Sequence, residues 1–284
     1  MADCVLMDGK ALSQKIRNQI KVEVESIKNN NVGIVPGLAV VLVGNDPASE
    51  IYVRNKEKAC AEVGFTSKKI VLEDTVSEEE LLSVIDNLNN DNSIHGILVQ
   101  LPLPAHINKD RVIDSIATEK DVDIFKTDSM GKLFEGVHCI APCTPSGIMA
   151  LLDEYNIDLE GKHCVIVGRS NIVGKPIAMM LMQRNATVTI CHSKTKNLKD
   201  FCKMADVIIC AVGKTNLITD DMVKEGVVIV DVGINRNEQG KVCGDVNIEN
   251  KDLVSYMTPV PGGVGPMTIT MLLKNTLELF KNSL

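Results

Sequence analysis

The stretch from His163 to Met180, HCVIVGRSNIVGKPIAMM, most constrains the fold of this 284-residue chain. Cys164 to Val167 is a short apolar run, rich in β-branched residues, and predicts a strand buried on both faces. Gly168 ends the run, a polar turn follows, and an apolar helical pattern extends from about Ile172. A strand, a glycine turn and a helix amino terminus together favour the binding of a phosphate group. The same G-x5-G spacing also fits a tight turn with a purely structural role.

Apolar strands alternate with helical patterns along the rest of the chain. Strands are predicted at 37–44, 68–72, 94–101, 186–191, 206–213, 227–235 and 256–260. Helices are predicted at 12–29, 48–63, 77–88, 108–117, 148–155, 172–184 and 267–280. Ser77 and Glu80 form a predicted capping box, Gly64 a left-handed helix end, and the prolines of 142–147 a linker. This alternation predicts an α/β fold with parallel sheets covered by helices.

Composition and charge exclude several classes of protein. The length suits about two domains, and no apolar stretch approaches the roughly 20 residues of a membrane span. The amino end lacks the basic and apolar regions of a secretory signal, and a net charge of −7 argues against a general nucleic-acid surface. Nine cysteines without a C-x-x-C pair indicate reduced thiols in cytosol. Cys139 and Cys143 have no second ligand pair nearby, so we expect no metal site.

Three polar positions stand out in the first half of the chain. Tyr52 and Lys56 are four residues apart and share one helix face, although an exposed lysine beside an interfacial tyrosine has the same spacing. Gln100 closes an apolar strand at the edge where parallel sheets bind ligands, or it only solvates the strand end. Asp121 and Asp123 form a solvated turn, or one of them accepts paired hydrogen bonds from a ligand.

The second half carries features of a dinucleotide site. An NAD enzyme offers an acid to the ribose about 20 residues after its glycine turn. Here, about 24 residues after Gly168, the chain has His192, Ser193 and Lys194. With Arg169 in the first turn, these groups suit a 2′-phosphate, which favours NADP over NAD. The glycine-rich segment 261–265 brings the backbone close to a flat or phosphorylated group, or forms a tight corner.

These separate signals occur together in one known family. Along nearly its whole length the chain resembles the bifunctional methylenetetrahydrofolate dehydrogenase/methenyltetrahydrofolate cyclohydrolase family. The segments that carry the resemblance are PGLAVVLVGNDPASEIYVRNKEKACAEVGF, GILVQLPLP, EKDVDIF, PCTPSGIMALL, VIVGRSNIVGKP, GDV and TPVPGGVGPMT. One position departs from the family, which usually has glycine where this chain has Ile124. A side chain there is expected to narrow or shift the pterin end of the cleft.

The resemblance implies roles for particular residues. The catalytic lysine of the family corresponds to Lys56, its partner tyrosine to Tyr52, the glutamine touching the lysine to Gln100, and the acid holding the pterin to Asp123. The further substrate contacts that it implies are Val99, Leu101, Pro261, Gly262, Gly263, Val264 and Gly265. The implied NADP contacts are Thr144, Gly168, Arg169, Ser170, Ile172, Val173, Gly174, His192, Ser193, Gly213, Gly233 and Ile234.

The family also implies an overall organisation. Residues 1–140, completed by 267–284, form a folate-binding catalytic domain, and 147–266 form a Rossmann-type NADP-binding domain, with the active site in the cleft between them. A cytoplasmic homodimer acting on tetrahydrofolate derivatives, without nucleic acid, membrane or metal, is expected. Two other classes also combine two lobes or bind a dinucleotide. A shikimate-type NADP dehydrogenase has no pterin to hold, and a dinucleotide-binding sensor without catalytic activity has no need of Lys56, Gln100 and Asp123.

Overall fold

The structure, a computed structural model, describes residues 4–30, 33–137 and 140–284. In these ranges the strands are β1 (Val5–Leu6), β2 (Gly37–Val43), β3 (Thr66–Leu72), β4 (Gly96–Val99), β5 (His163–Val167), β6 (Thr187–Cys191), β7 (Val207–Cys210), β8 (Ile218–Thr219), β9 (Val227–Asp231), β10 (Asn235–Arg236), β11 (Val242–Cys243), β12 (Val246–Asn247) and β13 (Val254–Met257). The α-helices are α1 (Gly9–Asn30), α2 (Pro47–Val63), α3 (Glu78–Asn89), α4 (Lys109–Ser115), α5 (Thr127–Glu135), α6 (Cys143–Glu154), α7 (Gly174–Gln183), α8 (Leu198–Met204) and α9 (Val264–Asn282).

The chain forms two compact units, and the first contains residues 4–13, 133–137 and 144–268. We call it the six-stranded unit, because its main sheet has the strand order β1-β13-β9-β7-β5-β6. All neighbouring strands in this sheet are parallel. From β5 the chain runs to β6 on one side and then to β7 on the other. The order of strands therefore reverses at β5, which is the position where open α/β sheets bind ligands.

The second unit contains residues 14–30, 33–132, 140–143 and 269–284. We call it the three-stranded unit, because its parallel sheet has the order β3-β2-β4. The central strand β2 is buried at every position, which suits a strand covered on both faces. Leu81, Ile85 and Leu88 of α3 are fully buried and pack with Val41 and Ile97 of the sheet. The predicted α/β fold with parallel sheets is confirmed, whereas the predicted domain limits stay predictions.

Local signals in the sequence placed several element ends correctly. Ser77 accepts a hydrogen bond from the Glu80 amide, and the Glu80 side chain accepts one from the Ser77 amide, so the capping box of α3 is present. Gly64 ends α2 in the left-handed conformation, with φ of 84°. The strands β4, β6, β7 and β9 are shorter than predicted, whereas β3 begins two residues before Lys68 and β13 begins at Val254 and ends at Met257. Helix α7 begins two residues after Ile172.

The prediction of a linker at 142–147 was wrong, since α6 begins at Cys143 and includes Pro145 in its first turn. Proline is tolerated there because the first amides of a helix have no partner within the helix. For the same reason, α9 begins at Val264, three residues before the predicted start, and includes Pro266 in its first turn. Helices α5 and α8 were not predicted, because their short sequences offer few apolar positions at helical spacing.

Among the described residues, no helix is both long and apolar enough to cross a bilayer. The described cysteines are all free, and Cys60, Cys143, Cys164, Cys191, Cys202 and Cys210 are buried. Cys139, considered above as half of a ligand pair, lies outside the described residues.

The capping box makes a prediction about stability. Replacing Ser77 with alanine removes the acceptor for an orphan amide of α3 and should lower the free energy of unfolding by about 1 kcal/mol. Urea unfolding followed by circular dichroism measures this change. Ser83, which is exposed in the middle of the same helix, supplies the control, because Ser83→Ala should be neutral or slightly stabilising. Equal effects of the two substitutions would contradict the prediction.

Candidate active site

Lys56 lies in the middle of α2 and is buried, with 9% of its surface exposed. The helix is fixed at its start by Asp46, whose carboxylate accepts a hydrogen bond from the Ser49 amide, and by Pro47 in the first turn. The Lys56 Nζ donates to Gln100 Oε1 over 2.9 Å. This contact joins α2 to the carboxyl end of β4, since Gln100 follows that strand directly.

The side-chain amide of Gln100 is held in one orientation. Its Nε2 donates to the Leu101 carbonyl over 2.8 Å, which leaves Oε1 directed at Lys56. Its backbone amide donates to the Val41 carbonyl and continues the pairing of β2 with β4 by one residue. Gln100 is therefore a strand-end residue whose side-chain acceptor faces a lysine.

Burial controls the protonation of Lys56. Desolvation lowers the pKa of the Lys56 ammonium group, and the Asp123 carboxyl with the Cys143 and Cys60 thiols opposes this shift only in part. A lysine with a lowered pKa holds a larger neutral fraction near pH 7 than an exposed lysine does. Such an amine can accept and return a proton.

Asp123 is the third member of this group. Burial raises the pKa of the Asp123 carboxyl and Asp121 adds to the rise, while the charge of Lys56 and a hydrogen bond with the Cys143 thiol oppose it. Lys56, Gln100, Asp123 and Cys143 thus belong to one cluster within the three-stranded unit. The sequence motifs DVD and PCTPSG contain the acid and the thiol, but no feature of the sequence assigned Cys143 to this cluster.

The other predicted substrate residues lie in different surroundings. Tyr52 is one helical turn before Lys56 and is 39% exposed, so its ring is available to a ligand. Val99 is buried at the end of β4, and Leu101 is half-buried just after it. The segment 261–265 belongs to the six-stranded unit, where it follows β13 and enters α9. There the Gly262 carbonyl accepts a hydrogen bond from the Lys10 amide over 2.9 Å.

The turn after β5 has the close packing that a phosphate cradle requires. Gly168 has φ of 131°, and a Cβ on it would lie 2.4 Å from the Ala211 carbonyl oxygen. A Cβ on Gly174 would lie 2.3 Å from the Gly168 carbonyl oxygen, so both glycines of G-x5-G are needed. The Ser170 hydroxyl accepts hydrogen bonds from the Val173 and Gly174 amides at the start of α7. Arg169, Ser170 and Ile172 are exposed beside this turn.

Sheet register brings the other predicted cofactor residues to the same edge. Val167 at the end of β5 pairs with Cys191 of β6 and with Cys210 of β7, which pairs in turn with Asp231 of β9. Four strands therefore end level with one another. The residues that follow them within one to three positions are Gly168 and Arg169, His192 and Ser193, Gly213, and Gly233 and Ile234.

The loops at this edge are shaped by hydrogen bonds. The His192 amide donates to the Thr195 hydroxyl, and the Lys194 amide donates to His192 Nδ1, so the turn after β6 is fixed while Ser193 stays exposed. Thr144, in the first turn of α6, shares a hydrogen bond of 2.9 Å with the Thr268 hydroxyl. The exposed Ser193 and Arg169 follow neighbouring strands, as the binding of a 2′-phosphate requires.

A fully buried carboxylate, Asp245, holds the loop after β7. Its Oδ2 accepts hydrogen bonds from the Val212 and Gly213 amides over 2.8 and 3.0 Å. Its Oδ1 accepts from the Lys214 amide and from Asn235 Nδ2, both over 2.8 Å. The charge of Asp245 is therefore met by four N–H groups.

Asp231, also buried, holds the loop after β9 in the same manner. It accepts hydrogen bonds from the amides of Gly233, Asp245 and Val246 over 2.9 to 3.0 Å. A Cβ on Gly233 would lie 2.3 Å from Asp245 Oδ1, so the loop after β9 packs directly against the Asp245 carboxylate. Sequence reasoning missed both aspartates as loop supports, although GDV was among the segments that carry the family resemblance.

Comparisons with known proteins agree with this geometry. A family model described as tetrahydrofolate dehydrogenase/cyclohydrolase, catalytic domain, matches residues 7–123. The model of the NAD(P)-binding domain of the same enzymes matches residues 142–284. The two matches define an α/β protein with a catalytic domain and an NAD(P)-binding domain. The chain belongs to the tetrahydrofolate dehydrogenase/cyclohydrolase family.

Individual relatives are similar over nearly their whole length. The bifunctional protein FolD of Bacillus anthracis is 54% identical over 280 residues, which cover 98% of this chain and 97% of the relative. The crystal structure of the bifunctional FolD methylenetetrahydrofolate dehydrogenase/cyclohydrolase from Campylobacter jejuni has a TM-score of 0.97 at 53% identity, covering 99% and 100% of the two chains. The Trypanosoma brucei FolD structure, complexed with NADP cofactor and inhibitor, has a TM-score of 0.95 at 36% identity, covering 100% and 99%.

The carboxylate at 245 makes a prediction about dinucleotide binding. In Asp245→Asn an NH2 group replaces one oxygen and faces two N–H donors, so the loop after β7 should shift. We expect the Kd for NADPH, measured by fluorescence titration, to rise about tenfold, equivalent to about 1.4 kcal/mol. Asp252→Asn, at an exposed position of the same unit, should leave the Kd unchanged. An unchanged Kd in Asp245→Asn would contradict a loop-holding role.

Proposed function

We propose that this protein oxidises 5,10-methylenetetrahydrofolate with NADP and hydrolyses the resulting 5,10-methenyltetrahydrofolate to 10-formyltetrahydrofolate. Membership in the tetrahydrofolate dehydrogenase/cyclohydrolase family supports both activities and a place in one-carbon metabolism. The observation that carries the hydrolytic assignment is the hydrogen bond between the buried Lys56 and Gln100, with Asp123 acting on the same amine. A shikimate-type dehydrogenase or a sensor without catalytic activity does not account for both matching domains.

The dehydrogenase step requires little acid–base catalysis from the protein. A hydride leaves the methylene carbon bridging N5 and N10, and the lone pairs of these nitrogens stabilise the cation that forms. Bound NADP supplies the hydride acceptor. The task of the protein is positioning, for which we propose Tyr52, Val99, Leu101, Asp123 and the segment 261–265 on the folate.

The hydrolytic step requires proton transfer, which we assign to Lys56. Water attacks the methenyl carbon and gives up a proton to the neutral amine of Lys56. The protonated Lys56 then returns this proton to N5 as the bond between N5 and the carbon breaks, and the hydroxyl proton leaves to solvent as the formyl C=O forms. The net reaction releases one proton. One group that first accepts a proton and then donates it is therefore sufficient for the hydrolysis. The lowered pKa of Lys56 supports this role, and Gln100 keeps the amine oriented.

The cofactor preference follows from charge at the edge of the six-stranded sheet. The residues present fit NADP, because Gly168 and Gly174 allow close approach to the backbone and Arg169 and Ser193 stand exposed on neighbouring loops. We propose that Arg169 pairs with the 2′-phosphate and that Ser193 donates to it. Thr144, Ser170, Ile172, Val173, His192, Gly213, Gly233 and Ile234 complete the proposed dinucleotide site.

We also propose a cytoplasmic homodimer joined through the six-stranded unit. Strand β6 forms one end of the main sheet, and Ile190 on it is an exposed apolar residue, which supports pairing with a second copy. The free state of the described cysteines agrees with a reducing compartment.

Purified protein tests the function as a whole. NADPH formation from methylenetetrahydrofolate, followed by absorbance, measures the dehydrogenase, and loss of methenyltetrahydrofolate absorbance measures the hydrolase. Parallel assays with NAD and with shikimate separate the proposed function from the two other classes. Dehydrogenase activity on shikimate, or inactivity on both folates, would overturn the proposal.

Lys56 makes the sharpest prediction. Lys56→Met keeps the stem of the side chain but removes the amine, so hydrolysis of methenyltetrahydrofolate should fall by at least about 100-fold. The Kd for NADPH should not change, since Lys56 belongs to the other unit. Lys58→Met, an exposed lysine on the same helix, is the matched control and should retain full activity. Unchanged hydrolysis in Lys56→Met would remove this residue from the mechanism.

Arg169 makes a separate prediction about coenzyme choice. Arg169→Leu removes a cation from the 2′-phosphate, so KM for NADP should rise about tenfold or more while KM for NAD stays unchanged. Steady-state dehydrogenase kinetics with both coenzymes measure the ratio. Lys203→Met removes an exposed cation elsewhere in the unit and should leave the ratio as in the unchanged protein. A parallel rise of both constants would point to a general folding effect instead.

A further inference from the structure

Asp121 is buried two residues before Asp123 and faces the backbone of its own loop. It is 2% exposed, and its Oδ1 accepts hydrogen bonds from the Ile124 and Phe125 amides over 3.0 and 3.5 Å. Its Oδ2 accepts from the Lys126 amide over 3.3 Å and from the Ser129 hydroxyl over 3.5 Å. One carboxylate thus gathers the donors of the segment that leads from Asp123 into α5.

The same residue connects this segment to the sheet. The backbone of Asp121 forms a parallel bridge with Ile97 of β4, the strand that ends next to Gln100. On its other side the turn is held through the Val122 carbonyl, which accepts a hydrogen bond from Asn275 Nδ2 over 2.9 Å. The turn that carries Asp123 is therefore fixed on both sides, and Asp121 supplies the contacts on its carboxyl side.

Ile124 explains why this turn needs support. It has φ of 58° and is 3% exposed. The left-handed region is rare for any residue other than glycine and rarest for β-branched ones, so such a conformation persists only where surrounding contacts impose it. The Ile124 amide makes the shortest of the hydrogen bonds to Asp121. A glycine at this position would adopt the same backbone conformation without such strain.

We propose that Asp121 is a positioning residue for hydrolysis: its carboxylate holds the strained turn at Ile124 and thereby keeps Asp123 directed at Lys56. Ile124 makes this chain depend on Asp121 more strongly than a chain with glycine at 124. The inference rests on the proposed function, because Asp123 and Lys56 act in that reaction. The proposal predicts that the effects of substitutions at 121 and 124 are coupled. If each residue had a separate structural role, the two effects would be independent.

The experiment is a double-mutant cycle with Asp121→Asn, Ile124→Gly and the double variant. Asparagine keeps the shape of the side chain, but its NH2 group opposes N–H donors of the loop. Asp121→Asn should lower kcat for methenyltetrahydrofolate hydrolysis about tenfold or more and leave the Kd for NADPH unchanged. In the Ile124→Gly background the same substitution should cost several-fold less, because glycine adopts φ near 58° without support. Asp128→Asn, at an exposed position in α5, is the control and should change neither constant.

The pH profile separates displacement of Asp123 from mere loss of a charge. The groups that raise the pKa of Lys56 against its burial are Asp123, Cys143 and Cys60. If Asp123 moves away, the pKa of Lys56 falls and the acidic limb of the rate profile moves to lower pH. If only the Asp121 charge is lost, Asp123 ionises more readily, the pKa of Lys56 rises and the limb moves to higher pH. The proposal requires the first result, and the second would overturn it.

A readout independent of catalysis keeps this inference separate from the proposed function. Amide hydrogen exchange at residues 124–126 should accelerate at least tenfold in Asp121→Asn and less in the double variant. Unchanged exchange in a folded Asp121→Asn protein, or equal costs in both backgrounds, would overturn the positioning role. Inactivity of the unsubstituted protein on both folates would instead overturn the proposed function and leave the exchange result standing. If Asp121→Asn does not fold, the same comparison is made between Ile124→Gly and the double variant that combines Ile124→Gly with Asp121→Ser. Amide exchange and hydrolysis are measured in both.

Discussion

The burial of the Lys56 amine is the constraint on which the three-stranded unit depends. A cation with 9% exposure loses most of its hydration, and removing it from water costs far more than one neutral hydrogen bond returns. Two groups offset this unfavourable free energy. They are the Gln100 Oε1 acceptor, fixed at the end of β4, and the Asp123 carboxylate on the next loop of the chain. Gln100 directly follows β4, which runs parallel to β2, so this acceptor lies at the carboxyl end of the sheet.

Buried carboxylates perform a second task, which is the shaping of loops. Asp121 in one unit and Asp231 and Asp245 in the other are each satisfied mainly by backbone amides and not by cations. An amide donor fixes the path of the chain, whereas a lysine or arginine partner fixes only the end of a flexible side chain. The two units therefore use the same interaction to hold the loops from which the proposed catalytic and dinucleotide contacts arise.

The sequence predicted most of the framework because its signals are local. The apolar runs at β2 and β5, the capping box of α3 and the glycine after α2 each depend on a few neighbouring residues. The first turn of α6 was predicted as a linker, since proline in a first turn and proline in a linker look alike in sequence. Lys56, Gln100 and Asp123 were predicted as a group through the family resemblance. Spacing alone left each of them with an ordinary structural explanation.

The loop-holding roles of the buried aspartates could not be predicted from short sequence motifs, for a physical reason. Asp245 bonds amides more than 30 residues earlier in the chain, and these segments meet where β12 pairs with β8. Asp121 bonds amides three to five residues later, yet the motif DVD does not reveal which of its acids faces the backbone. The left-handed conformation of Ile124 was equally hidden, because isoleucine is the residue least expected there.

The level ends of β5, β6, β7 and β9 have a consequence for how such an enzyme changes over evolutionary time. The turn after β5 is shaped by main chain and glycine, whereas the side chains that we propose to distinguish one coenzyme from another, at 169 and 193, are exposed. Selection can therefore exchange those two positions freely without endangering the scaffold. Coenzyme identity and architectural integrity are separable traits in this fold, and lineages sharing one scaffold are free to diverge in the electron carrier that they use.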